Sequence, residues 1–281
     1  MEYLGCTLQQ RLDECGGKFN LKTVCMLAFQ MLDVLQNLHD KNLVHRSISL
    51  NVWQFGRGEK SLLLFLNDMM ECKWYKNKKT LVHNEEKKTV FNSKSIFWTE
   101  SHYQSRDISR KHDVEMLLLM LVYLLKGELP WSKDFDTKSF EKVKEEGFYD
   151  LDLICEGTPT AFKEMLATTR ALKYQEEPPY IWYKKRLEML MASRKIRNDG
   201  VYEWLLKKSH RESLKVSPYI PSLKLERDEE FLREFYEPFQ ETMDIDEVGS
   251  KHTKVYGVND SAIRSRTILE MEDESSKVQQ K

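Results

Sequence analysis

From Asp113 to Lys126 the chain reads D-V-E-M-L-L-L-M-L-V-Y-L-L-K, apolar on almost every side when wound as a helix. A helix without a polar face belongs at the centre of a helical domain, because no side of it can face water. The most apolar part, Met116 to Leu125, is about half of the roughly 20 residues that span a bilayer. The constraint is therefore internal burial, and the rest of the chain has to supply the helices that surround this one. Asn20 to Lys41 is the first candidate: Leu27, Met31, Leu35 and Leu38 recur at three- and four-residue spacing behind Asn20, a residue suited to an N-cap. Further helices are expected at Ala161 to Ala171, Ile181 to Ser193 and Val201 to Lys208.

Between these helices the pattern changes. The short apolar runs Val52 to Phe55 and Leu62 to Leu66 are joined by R-G-E-K-S, which suits a tight hairpin, and Lys73 to Lys94 has no periodicity and reads as a loop. Past Lys208, V-S-P-Y-I-P-S forms a proline-punctuated linker, and Arg227 to Phe239 sets Phe231, Phe235 and Phe239 on one helical stripe. Beyond Met243 the composition is polar and aperiodic, as in disordered tails. The expected division is a lobe at 1–208, a linker and amphipathic helix at 209–243, and a flexible tail at 244–281.

Composition removes several function classes. Lys plus Arg (44) nearly cancels Asp plus Glu (45), so no overall field draws the chain to nucleic acid or to an anionic membrane. The five cysteines never occur as C-x-x-C, and the seven histidines show no ligand spacing, so neither a disulfide framework nor a metal site is encoded. The start, M-E-Y-L-G-C, lacks a secretory signal, which gives a cytoplasmic or nuclear expectation. One local exception is K-W-Y-K-N-K-K at 73–79, where aromatics alternate with lysines as in single-stranded nucleic-acid binders; the plainer reading is a solvated loop.

The order of the pieces carries a resemblance. A helix ending in H-D-K-N at 39–42 is followed by His45-Arg46, a hairpin, and Asp68 after the second strand, the layout of a protein-kinase C-terminal lobe. L-G-C-T-L-Q-Q-R-L at 4–12, K-F-N-L-K-T-V at 18–24, S-R-K-H-D-V-E at 109–115, L-P-W at 129–131, R-A-L-K-Y-Q-E-E-P-P-Y at 170–180 and V-Y-E-W at 201–204 are similar to segments of the casein kinase 1 family of Ser/Thr kinases, in unbroken order over residues 2–208. The resemblance implies a mainly helical, kinase-like C-terminal lobe with a small β-hairpin at the catalytic loop and metal motif. The N-terminal β lobe, with its glycine-rich loop and strand lysine, is expected to be absent, since the matching region begins at the hinge.

Laid on that family, the chain keeps the frame and changes the chemistry. Residues 45–52 read H-R-S-I-S-L-N-V where the family has H-R-D-x-K-P-D-N. Ser47 stands for the aspartate that accepts the substrate hydroxyl's proton, Ser49 for the lysine that steadies the moving phosphoryl group, and Val52 for the asparagine that holds magnesium. Loss of a positioned base alone costs about 10²- to 10⁴-fold in rate. D-F-G becomes Asp68-Met69-Met70, leaving one acidic ligand for residual Mg²⁺ or ATP binding. Gln54 falls where a leucine underlies the adenine, and Ile96 where an arginine reads phosphorylated substrates. His45, Arg46, Asp113 and Arg170 keep their framework positions: Asp113 to brace the catalytic loop, Arg170 to tie the end of the activation segment. The expectation is a casein-kinase-1-like pseudokinase with no intact catalytic residue and no required cofactor, working as a scaffold for proteins such as the partners or substrates of active relatives. A divergent Ser/Thr kinase is the alternative.

Overall fold

The computed structural model describes residues 4–91, 94–135 and 147–206. In chain order the elements are α1 (Leu8–Glu14), α2 (Leu21–Asp40), β1 (Leu43–Val44), β2 (Trp53–Phe55), β3 (Leu64–Leu66), β4 (Lys73–Trp74), α3 (Glu100–Tyr103), α4 (Arg110–Lys126), α5 (Leu151–Cys155), α6 (Thr160–Ala171), α7 (Tyr180–Ser193) and α8 (Glu203–Leu206). Of the two compact units, Met1–Ser222 holds every described residue. The linker beyond 208, the Phe231, Phe235 and Phe239 stripe and the tail lie outside the described residues.

The all-apolar run is the central helix. Residues 113–122 and Leu124 of α4 are buried, with α2 and α6 packed against it and α7 against both of those. Its start is fixed by Ser109, whose N–H donates to His112 Nδ1 at 3.0 Å. Its end is fixed by Gly127, which takes the left-handed conformation (φ 83°) so that its N–H reaches Tyr123 O at 2.7 Å. An added Cβ there would lie 3.2 Å from Gly17 O. α2 begins as expected, with Asn20 Oδ1 accepting from the Thr23 N–H at 2.9 Å.

The hairpin forms with Trp53 opposite Leu66, Gln54 opposite Phe65 and Phe55 opposite Leu64. Its anchor is polar and comes from α2. Gln30, buried, accepts from Leu64 N–H (2.9 Å) and donates to Leu62 O (2.9 Å) and to Tyr202 Oη (2.7 Å), so one amide joins α2, the hairpin and the last described turn of chain. That last turn closes on the start of α2. Glu203 accepts from Asn20 Nδ2 at 2.6 Å, and Trp204 packs against Phe19, Phe55 and Tyr202 with ring centroids 5.5, 5.3 and 4.5 Å away.

Two readings of the sequence need correction, and three short helices escaped it. Residues 73–94 are not a plain loop: β4 pairs antiparallel with β1, Lys76 bridges His83, and Lys88 bridges Arg106. These pairings are one or two residues long, so no periodicity announces them. The expected helix at 201–208 is helical at Glu203–Leu206 within the described residues. The short helices α1, α3 and α5 have too few turns to show a repeat, although α1 carries a legible capping box, Thr7 with Gln10.

Candidate functional site

The loop from His45 to Val52 is held from below by one carboxylate. Asp113, with no exposed surface, accepts from the His45 N–H through Oδ2 and from the Arg46 N–H through Oδ1, each at 2.7 Å. His39 Nε2 donates to the same Oδ2 at 3.0 Å, and the hydroxyl of Tyr180 lies against His39 Nδ1. Burial would raise the Asp113 pKa, but the His39 hydrogen bond, the nearby histidines and the His45 N–H outweigh it and hold the carboxyl below its ordinary value. Burial, then the Asp113 charge, pushes the Tyr180 phenol well above its usual range, so it remains a donor.

That clamp forces the backbone through an uncommon conformation. Arg46 sits at φ 73°, in the left-handed region that non-glycine residues rarely adopt. Its carbonyl accepts from His102 Nε2 at 3.1 Å, and its guanidinium donates to Glu71 O at 3.1 Å and lies 5.1 Å from the Phe91 ring. His45 is buried, donating from Nε2 to Asn67 O at 3.1 Å and accepting weakly at Nδ1 from the Ser47 N–H at 3.4 Å. The frame of a catalytic loop is thus assembled and hydrogen-bonded.

The positions that would work on a substrate are different in kind. Ser47 and Ser49 are half-buried hydroxyls following the clamped turn. Val52 is buried in the apolar core, and its carbonyl accepts from the Asn67 N–H at 2.7 Å, which ties it to the residue before Asp68. Asp68 is exposed in the left-handed conformation (φ 57°), followed by Met69 and by Met70, 91% exposed. A magnesium cradle of this kind needs a second oxygen donor facing the aspartate. Val52 offers a hydrocarbon in the core instead, so the residues present fit a two-ligand magnesium site poorly. Among the described residues no group of three or more His, Cys, Asp or Glu could hold a metal ion. Gln54 accepts from Asn67 Nδ2 at 3.2 Å, an amide pair at the place where an adenine would need an apolar floor.

The positive charges beside the loop already have carboxylate partners. Asp107, nearly fully buried, accepts from Lys73 at 2.5 Å and lies 3.9 Å from the Arg46 guanidinium. Arg170 donates to Glu115 on α4 at 2.7 Å and to Phe148 O at 2.6 Å, joining α6 to the central helix and to the chain entering α5. The sequence reading named His45, Arg46, Asp113 and Arg170 but passed over Asp107, His39, Tyr180 and His102, which complete the frame. His39 and Tyr180 stood within quoted segments, H-D-K-N and P-P-Y; nothing local distinguished Asp107.

No protein-family model matches the chain. Fold and site together have the character of a kinase-type catalytic lobe, with a clamped His-Arg turn, a hairpin and a central helix. The chain is 31% identical over 214 residues, 73% of its length and 49% of the relative's, to casein kinase I homolog 2 of Schizosaccharomyces pombe. It is 32% identical over 216 residues to casein kinase I homolog RAG8 of Kluyveromyces lactis, covering 73% of this chain and 40% of that one. A probable casein kinase I homolog of Encephalitozoon cuniculi is 30% identical over 220 residues, 74% of this chain and 69% of the relative. The chain belongs to the casein kinase I family. It spans about half the length of the first two of these relatives.

Proposed function

We propose that this casein kinase I-type lobe does not transfer phosphate and serves as a protein-binding or regulatory scaffold. The observation that carries the reading is the contrast within one loop: Asp113, His39 and His102 still hold the His45-Arg46 turn, while the next residue is the hydroxyl of Ser47. A serine hydroxyl is not a base near neutral pH, so it cannot take the proton of an attacking hydroxyl. Ser49 brings no positive charge to stabilise a migrating phosphoryl group, and Val52 brings no ligand to a metal. The hydrogen-bonded frame instead supports a role that depends on shape, with proteins as partners.

The test uses the purified chain in two measurements. Phosphoryl transfer from labelled ATP to casein is expected at the same background rate for the wild type and for Ser47→Ala; a wild-type rate clearly above that control overturns the proposal. Thermal melting with excess ATP, with and without Mg²⁺, is expected to show no shift, whereas a ligand at about 100 times its dissociation constant would stabilise the fold by roughly 2.7 kcal/mol. A Mg²⁺-dependent shift removed by Asp68→Asn would favour the second reading, a divergent Ser/Thr kinase, which family membership and the exposed carboxylate of Asp68 keep open.

A further inference from the structure

Residues 76–83, within the region 73–90, form a hydrogen-bonded tip. Lys76 and His83 pair as an antiparallel bridge, the Asn77 N–H donates to Val82 O at 2.8 Å, and the Leu81 N–H donates to Asn77 O at 2.9 Å. Asn77 Oδ1 also accepts from the N–H groups of Lys79 and Thr80, at 2.8 and 3.1 Å, and Leu81 closes the turn at φ 57°. This cross-linked turn holds two consecutive branched aliphatics outward: Leu81 is 63% exposed and Val82 65%, with Trp74 41% exposed at the base. Lys78 and Lys79 flank the apex and are exposed, as are Lys87 and Lys88 on the returning strand. Single exposed apolar residues are ordinary. Two in sequence, on a hydrogen-bonded apex collared by lysines, form an arrangement with a direction.

We propose that this tip docks on an anionic lipid surface. Leu81 and Val82 enter the boundary between headgroups and acyl chains, Lys78 and Lys79 meet the lipid phosphates, and Trp74 lies at interfacial depth. The balance of charge over the whole chain, which argued against a membrane, conceals the local excess: residues 73–90 contain six lysines, Lys73 among them paired with Asp107, against two glutamates. Of those glutamates, Glu86 is turned toward Arg106 at 3.8 Å.

The other surfaces that lysines suit fit less well. Single-stranded nucleic acid needs free aromatic faces for its bases. Here Tyr75 is buried with the Arg110 guanidinium 4.7 Å from its ring, and Lys78 lies 4.7 Å from the Trp74 ring. A protein groove needs a row of anchors and a broad rim, and a tight turn with two adjacent aliphatics offers neither. The proposal depends on the tip alone and is independent of whether the lobe transfers phosphate.

Co-sedimentation of the full chain with phosphatidylcholine vesicles, with and without about 30% phosphatidylserine, tests it. Binding to the anionic vesicles, weakening as salt rises from about 0.1 to 0.5 M, is expected, with little binding to the neutral ones. Leu81→Asp/Val82→Asp should weaken binding by roughly tenfold or more. Lys78→Ala/Lys79→Ala should weaken it by roughly fivefold per lysine. All four side chains are exposed, so an unchanged melting curve verifies that each variant folds. Absence of binding, equal binding to neutral and anionic vesicles, or full binding by the Leu81→Asp/Val82→Asp variant would each overturn the proposal. Capture of oligothymidylate undiminished in that variant, without vesicle binding, would assign the lysines to nucleic acid instead.

Discussion

Four buried histidines hold this lobe, each in the same way. His39, His45, His102 and His112 are buried, each with Nε2 directed at an oxygen: Asp113, Asn67 O, Arg46 O and Ser101 Oγ. At Nδ1, backbone N–H groups of Ser47, Thr99 and Ser109 donate to His45, His102 and His112, and the Tyr180 hydroxyl to His39. Burial, with Lys111 next in effect, lowers the His112 pKa from 6.5 to about 3. The unfolded chain therefore binds a proton there that the folded chain refuses, and stability is lost as pH falls from about 6.5 toward 3. Urea midpoints at pH 7 and pH 4.5 should differ in the wild type and differ less in His112→Gln. Asp113 adds a separate acid limit. Its folded pKa lies below 3.8, so its contribution is full above that value and disappears as pH falls through the folded one. At pH 7, Asp113→Ala should cost about 3–5 kcal/mol in urea unfolding, because two N–H groups and His39 lose their acceptor. The sequence showed Asp113 and His45 through their motifs. The partners of the histidines' Nε2 atoms were not legible, because Asp113, Asn67 O, Arg46 O and Ser101 Oγ arrive from elsewhere in the chain.

At the scale of elements, the periodic helices were readable and their attachments were not. α2 and α4 announce themselves by spacing and by lack of a polar face, since a helix several turns long repeats its burial pattern often enough to be seen. Gln30 did not stand out: on an apolar helix it reads as one polar interruption, yet it is the fastening of the β2–β3 hairpin. Gln30→Leu should strip the Leu62 carbonyl and the Leu64 N–H of their buried partner, at roughly 1–3 kcal/mol each, for a total of about 2–6 kcal/mol. Thermal melting measures the sum, and amide exchange at Leu64 should accelerate more than at Leu117 of the central helix. A uniform change across both sites would show that Gln30 acts on the whole lobe and not on the hairpin. The β1–β4 pair escaped notice for a related reason: two-residue strands have no alternation to detect, and their pairing is decided by where α2 and the hairpin deliver the chain.

Across the whole molecule, the described chain is closed on itself. Glu203 caps the region where α2 begins, and Trp204 completes a cluster with Phe19, Phe55 and Tyr202, so residues near 20 and near 203 share one core. Trp204→Ala should cost about 3–5 kcal/mol, and calorimetry should show one cooperative transition at a lower temperature; two separated transitions would contradict a shared core. V-Y-E-W was legible as a family-like segment, but its partners lie some 180 residues away and no local pattern joins them. The buried carboxylate of Asp107 has a consequence at this scale. Where a cationic pair waits for a phosphate, order in a loop is a message that some other enzyme writes and erases. Arg46 and Lys73 here keep a counter-ion encoded in the chain itself, so the conformation they secure is inherited with the sequence and needs no added phosphate to hold it.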